Sequence, residues 1–163
     1  MSIYADGRER LRRLISEARG AGQKAYAAAL YVFPRSADID SATIVASAYN
    51  TERTSGNSNA HAEINVLNMA AKILTEAIFD SQGREIPVGQ RTIDFCLLVN
   101  TRPCPKCTAA IADCQVFNVY FYRENGFMKS VSEAILAAKT ERAGRDFVFK
   151  QVPSEFVDDF ESA

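Results

Sequence analysis

The chain has 163 residues, 47% hydrophobic and 24% charged, with a formal net charge of −1. That length buries a real core without disulfide support, so it reads as a single domain over 1–163. No basic surplus advertises a long polyanion, which disfavours a polynucleotide partner. No apolar run of about 18 residues appears either, which points away from a membrane and to a cytoplasmic protein.

Taken in chain order, segment 6–20 spaces Leu11, Leu14, Ile15 and Ala18 as a helix, and "GAG" stops it. The arginines of "RERLRR" (8–13) fall between the apolar positions, as a solvated face would. "AYAAALYVF" (25–33) and "ATIVASAYN" (42–50) predict two strands of an antiparallel hairpin with a long loop. "TERTSGNSN" (51–59) reads as a polar loop with nothing to pack. A single broad helix is expected over 61–79, striped by Ile64, Leu67, Ala71, Leu74 and Ile78, with Asn59 as its N-cap. After a second loop (80–91), "TIDFCLLVN" (92–100) is apolar enough for a central strand.

"PKCTAAIADC" (105–114) predicts a short helix opened by Pro105. "VYFYRE" (119–124) predicts a strand, 131–144 a helix stopped by Gly144, "DFVFKQV" (146–152) a last strand, and 154–163 a frayed acidic helix. Alternating helices and strands after an opening hairpin predict an α/β fold, a three-layer α-β-α sandwich with a mixed central sheet.

All four cysteines, Cys96, Cys104, Cys107 and Cys114, lie between positions 96 and 114. In a reducing compartment such a cluster is more often metal-binding or catalytic than a disulfide framework. "RPCPKC" sets Cys104 and Cys107 three apart at a helix start, where backbone amides favour thiolates. His61, the one histidine, also stands at a predicted helix start. Two cysteines and a histidine are three ligands, and a fourth position left to water marks a catalytic zinc. Glu63 can stand beside that position, where bound water has a pKa near about 7, and serve as general base and then general acid.

Cys96 reads as a small buried hydrophobe and Cys114 as a packing residue. If either supplied a fourth ligand, the chain would instead be a structural-zinc or inactive binding domain. Phe127, after "YRENG", is a candidate aromatic lid over a base, with a core phenylalanine as the alternative.

His61-x-Glu63 followed by Pro103-Cys104-x-x-Cys107 resembles the signature of the zinc-dependent cytidine/deoxycytidylate deaminase superfamily. The resemblance spans residues 8–140, with its specific part in 50–63 and 101–114. The pattern is most similar to the guanine, cytosine, tRNA-adenosine and deoxycytidylate deaminase branch. It implies one Zn2+ per chain on His61, Cys104 and Cys107 plus water, with Glu63 as the proton shuttle. It also implies that Asn50 holds the base edge and that the Ala62 backbone N–H holds a ring carbonyl or nitrogen.

The implied reaction is hydrolytic deamination of a base, nucleoside or nucleotide. Water adds at the amino-bearing ring carbon, protons pass through Glu63, and ammonia leaves. Strand 25–33 lacks the Pro-Phe-Gly-Ala common in purine deaminases, which favours a cytosine-type substrate. The glutamate-bearing motif of free cytidine deaminases is missing too, so no ribose contact carries over. A polynucleotide deaminase is the alternative within the class, and a homodimer or homotetramer is implied by resemblance alone.

Overall fold

The computed structural model describes residues 2–163. The elements are α1 (Ile3–Gly20), β1 (Ala27–Pro34), β2 (Thr43–Tyr49), α2 (Glu52–Ser55), α3 (Ala62–Met69), α4 (Ala71–Ile78), β3 (Ile93–Thr101), α5 (Pro105–Asp113), β4 (Asn118–Arg123), α6 (Gly126–Ala143) and β5 (Val148–Gln151). Five strands form one mixed sheet in the order β2-β1-β3-β4-β5. The opening hairpin pairs antiparallel, and β1 is also antiparallel to β3. β3, β4 and β5 run parallel, joined by α5 and α6 as crossovers. The expected three-layer α/β architecture is present, with β3 at the centre.

Strand alternation divides the interior into two cores. Ala28, Leu30, Leu97, Val99, Val119 and Phe121 face one way, against Val66, Leu67 and Leu74 of α3 and α4 and Ile111 of α5. Ala27, Ala29, Tyr31, Leu98, Tyr120 and Tyr122 face the other way, against Leu11 and Ile15 of α1. α1 lies very close to the sheet. A Cβ on Gly7 would stand 2.2 Å from Leu98 Cδ1 and 2.7 Å from the Tyr122 hydroxyl, so only glycine fits there. In the same contact the Tyr122 hydroxyl donates to the Tyr4 carbonyl at 2.6 Å.

Four expectations change. The loop 51–59 contains the short helix α2, because Asn65 donates to the Tyr49 carbonyl and to Thr51 Oγ1, and Gln23 bonds both Thr54 and the Arg53 N–H. The helix over 61–79 breaks at Ala70, whose ψ of 7° turns α4 away from α3 while both keep their stripes on one core. Asn59 does not cap α3; it accepts from Lys106 Nζ at 2.7 Å, and His61 occupies the cap position. The tail carries only a 3-10 turn at Ser154–Phe156 and is then held as a strap. Phe160 is buried edge-on against Tyr122, and Arg12 pairs with Asp158 at 2.8 Å. Burying that ring outweighs an acidic helix with no apolar stripe.

The long segment after α4 folds at the entry end of β3. It forms an isolated bridge between Phe79 and Glu85, and the Arg91 guanidinium clasps Gln115 and the Ile86 carbonyl. No helix among the described residues is long and apolar enough to cross a membrane.

Gly7→Ala forces a methyl into Leu98 and the Tyr122 hydroxyl, so unfolding stability should fall by about 1–3 kcal/mol. Urea denaturation followed by circular dichroism measures this; an unchanged midpoint would show that α1 can lift off the sheet without cost.

Candidate metal centre and active site

Ligands in open parallel sheets gather beyond the carboxyl ends of the strands. Here β3 ends at Thr101 and β4 at Arg123, and the antiparallel hairpin brings the start of β1 and the end of β2 to the same side. Lys24, Tyr26, Asn50, Asn100 and Cys104 therefore arrive together from distant parts of the sequence and line one cavity of about 220 Å³.

Two helices start at that cavity. His61 is the N-cap residue of α3 and Cys104 that of α5. The His61 imidazole makes no capping bond to its own helix. Its Nδ1 lies 3.7 Å from Cys104 Sγ and 3.3 Å from Cys107 Sγ, and the three donor atoms all lie within 4.8 Å of one another. Tetrahedral zinc with its usual bond lengths has N···S edges of about 3.6 Å, so this donor set fits the ion in spacing and in chemistry.

The thiols are already biased towards metal binding. Cys104 Sγ accepts the Cys107 thiol and the Cys107 N–H (3.4 Å), which lowers its pKa to about 5. Cys107, donating to that thiolate and buried beside Glu63, is pushed up. Both become thiolates only when a cation takes the place of the shared proton.

Glu63 sits two residues into α3, buried, and lines the same cavity. Burial raises its carboxyl pKa, with the Cys104 thiolate adding to the effect; its own peptide N–H and His61 act against it. Ala62 is fully buried between His61 and Glu63. As the first residue of α3, its N–H belongs to the turn that has no carbonyl partner within the helix.

Asn50 is buried at the end of β2. Its Oδ1 accepts the Glu52 N–H at 3.0 Å and its Nδ2 donates to Glu52 Oε2 at 3.2 Å. One amide hydrogen and one lone pair stay free of those bonds.

Phe127 is a correction. The residue is 87% exposed, so it is not a core phenylalanine, and it does not line the cavity. A helix turns about 100° per residue. The start of α6 consequently directs Met128 into the cavity, with Asn125 just before it, and Phe127 out.

Neither remaining cysteine closes the metal group. Cys96 faces the α1 side of the sheet, and Cys114 is the C-cap of α5, about 10 Å along the axis from Cys107. Among the described residues, His61, Cys104 and Cys107 form the one group of three donors spaced for a metal.

Glu52 and Lys24 were not foreseen. Glu52 Oε1 lies 2.9 Å from His61 Nε2, and Lys24 Nζ lies 2.7 Å from Glu52 Oε2. The signal was the hairpin itself: extending the Ala27↔Tyr49 pairing by three residues sets Lys24 opposite Glu52. Asn100 also went unnoticed; it closes the end of β3 by accepting the Ala27 N–H and donating to the Ala25 carbonyl.

A family model described as "Cytidine and deoxycytidylate deaminase zinc-binding region" matches residues 8–123. No curated relative matches by sequence. Among solved structures the fold is similar to a tRNA:A34 deaminase (TM-score 0.61, 20% identity, 90% of this chain and 97% of that one). It is also similar to guanine deaminases from Nitrosomonas europaea (0.63, 18%, 92% and 78%) and Bacillus subtilis (0.54, 22%, 90% and 72%).

Elemental analysis should find one zinc per chain. X-ray absorption should show two sulfurs, one imidazole nitrogen and one further light atom. Cys107→Ser should lose the metal and Cys114→Ser keep it; a third sulfur in the shell would point to a closed structural site.

Proposed function

Because the chain belongs to the cytidine and deoxycytidylate deaminase family through the zinc-binding region that matches its residues 8–123, we propose that it hydrolytically deaminates a small nucleobase compound, with a cytosine-type base favoured over a purine. The carrying observation is that a buried carboxylate, Glu63, lines one base-sized cavity with His61 and Cys104, two members of a His-Cys-Cys group spaced for zinc. In this reading His61 Nδ1, Cys104 Sγ and Cys107 Sγ hold one zinc ion. When bound, zinc supplies Lewis acidity that brings the pKa of water down to about 7.

The chain's own residues then have separable roles. Glu63 takes a proton from the attacking water and delivers it to the ring nitrogen as the amino-bearing carbon becomes tetrahedral. It then takes the remaining proton from the newly added hydroxyl and passes it to the amino group, the C–N bond breaks, ammonia leaves and a ring carbonyl remains. Burial suits it to this exchange, because a raised carboxyl pKa lies nearer the working pH.

Asn50 offers its free amide hydrogen and lone pair to the base edge, and the Ala62 N–H meets a ring carbonyl or nitrogen. Tyr26 and Met128 take the lining place expected of Phe127. A larger cavity of about 670 Å³ shares Lys24, Tyr26, Asn100, Thr101 and Asn125 with the first and adds Arg19 and Arg123. Glu124, Asp159 and Glu161 line it too, and Arg19 donates to the Glu161 and Ala163 carbonyls, so its charge is mixed and it gives room for a sugar beyond the base. A small substrate also agrees with a net charge of −1, which offers little for a long polyanion. Four unpaired cysteines suit the reducing cytoplasm.

Purified zinc-loaded protein, incubated with a panel of bases, nucleosides and nucleotides, should release ammonia from a cytosine-type member. Glu63→Gln should cut that rate by about 10²–10⁴-fold while retaining zinc. Ammonia release unchanged in that variant would overturn the role of Glu63. Turnover confined to RNA or single-stranded DNA, and falling steeply with salt, would move the substrate to polynucleotides.

A further inference from the structure

We propose that Glu52 is a positioning residue for His61, holding the imidazole with its proton on Nε2 so that the bare Nδ1 faces Cys104 and Cys107. The inference rests on the reading of His61 as a zinc ligand and adds what makes it one.

A carboxylate has no proton to give. The 2.9 Å contact between Glu52 Oε1 and His61 Nε2 is therefore a hydrogen bond only when Nε2 carries the hydrogen. In a neutral ring that leaves the lone pair on Nδ1, the atom standing 3.7 Å and 3.3 Å from the two sulfurs. Without the acceptor, the ring is free to turn over about Cβ–Cγ or to take the other tautomer, and either change removes the lone pair from the metal position.

Glu52 is itself held on its other oxygen. Oε2 receives Lys24 Nζ at 2.7 Å and Asn50 Nδ2 at 3.2 Å, and the Glu52 N–H donates to Asn50 Oδ1 at 3.0 Å. The Glu52 side chain is only 14% exposed. Oε1 is thus left for the imidazole and is aimed by contacts that do not include the metal group. Carboxylates paired this way with ligating histidines fix ring orientation and raise ligand basicity, and their loss usually costs about 10–100-fold in metal affinity. Lys24 offsets the carboxylate's charge beside the metal group.

The experiment uses the full chain, 15N-labelled at histidine, in the wild type and in Glu52→Ala, Glu52→Gln and His61→Ala variants. Since His61 is the sole histidine, long-range 1H–15N correlation reports one ring without assignment. The zinc-loaded wild type should show a protonated Nε2 and a metal-bound Nδ1. Competition with a chromophoric chelator should show zinc binding weakened about 10–100-fold in Glu52→Ala. Glu52→Gln, which keeps an acceptor, should retain the Nε2–H signal and most of the affinity, a rescue that a merely structural role would not produce.

A metal-bound Nε2 in the wild type overturns the proposal whether or not any variant folds. So does wild-type zinc affinity in Glu52→Ala with the Nε2–H signal unchanged. Undiminished zinc binding in His61→Ala overturns the ligand reading instead, which keeps the two failures apart.

Discussion

Two helices begin at one point, and the rest of the site is arranged around that meeting. His61 caps α3 and Cys104 caps α5, so each ligand-bearing residue sits where backbone N–H groups are unspent and the helix presents its positive end. Two sulfurs and an imidazole nitrogen crowded into this space carry more negative character than a folded interior tolerates alone. The amides offset part of it, and a divalent cation held by His61, Cys104 and Cys107 would offset the remainder. Breaking α3 at Ala70 does not disturb this arrangement, because the break lies on the far side of the helix from the cap.

The sheet supplies the convergence. Parallel β3 and β4 deliver their carboxyl ends to the site, while the antiparallel hairpin returns the start of β1 and the end of β2 to the same edge. Lys24, Asn50, Glu52 and Asn100 become neighbours through strand register and not through nearness in sequence. The long segment 80–91 leaves the site untouched because it enters β3 from the opposite end. Close seating of α1 through Gly7 and the strap ending in Phe160 close the other face of the sheet.

Within the cavity, the metal group and Asn50 are tied together. Asn50 and His61 both bond Glu52, so one carboxylate orders the residue proposed to meet the base and a residue of the metal group. Glu63 stands apart from that network, buried and without a salt bridge among the described residues. The proton-moving role proposed for Glu63 needs such freedom, since a fixed ion pair would hold it in one protonation state.

The sequence by itself determined the metal group and the chemistry it serves. His61, Glu63, Cys104 and Cys107 sit in two short local motifs, each at the start of a helix, and local spacing is what a sequence displays directly. It also determined the layered α/β order, because hydrophobic period distinguishes strands from helices. Only the tertiary structure decided that Glu52 and Lys24 belong to the site, that Phe127 points away from it, and that Cys96 and Cys114 stay out of the metal group. Those outcomes depend on strand register, on the rotation at the first turn of α6, and on which sheet face a residue occupies. Each of these is set by packing between segments distant in the chain, and packing leaves no local pattern to read.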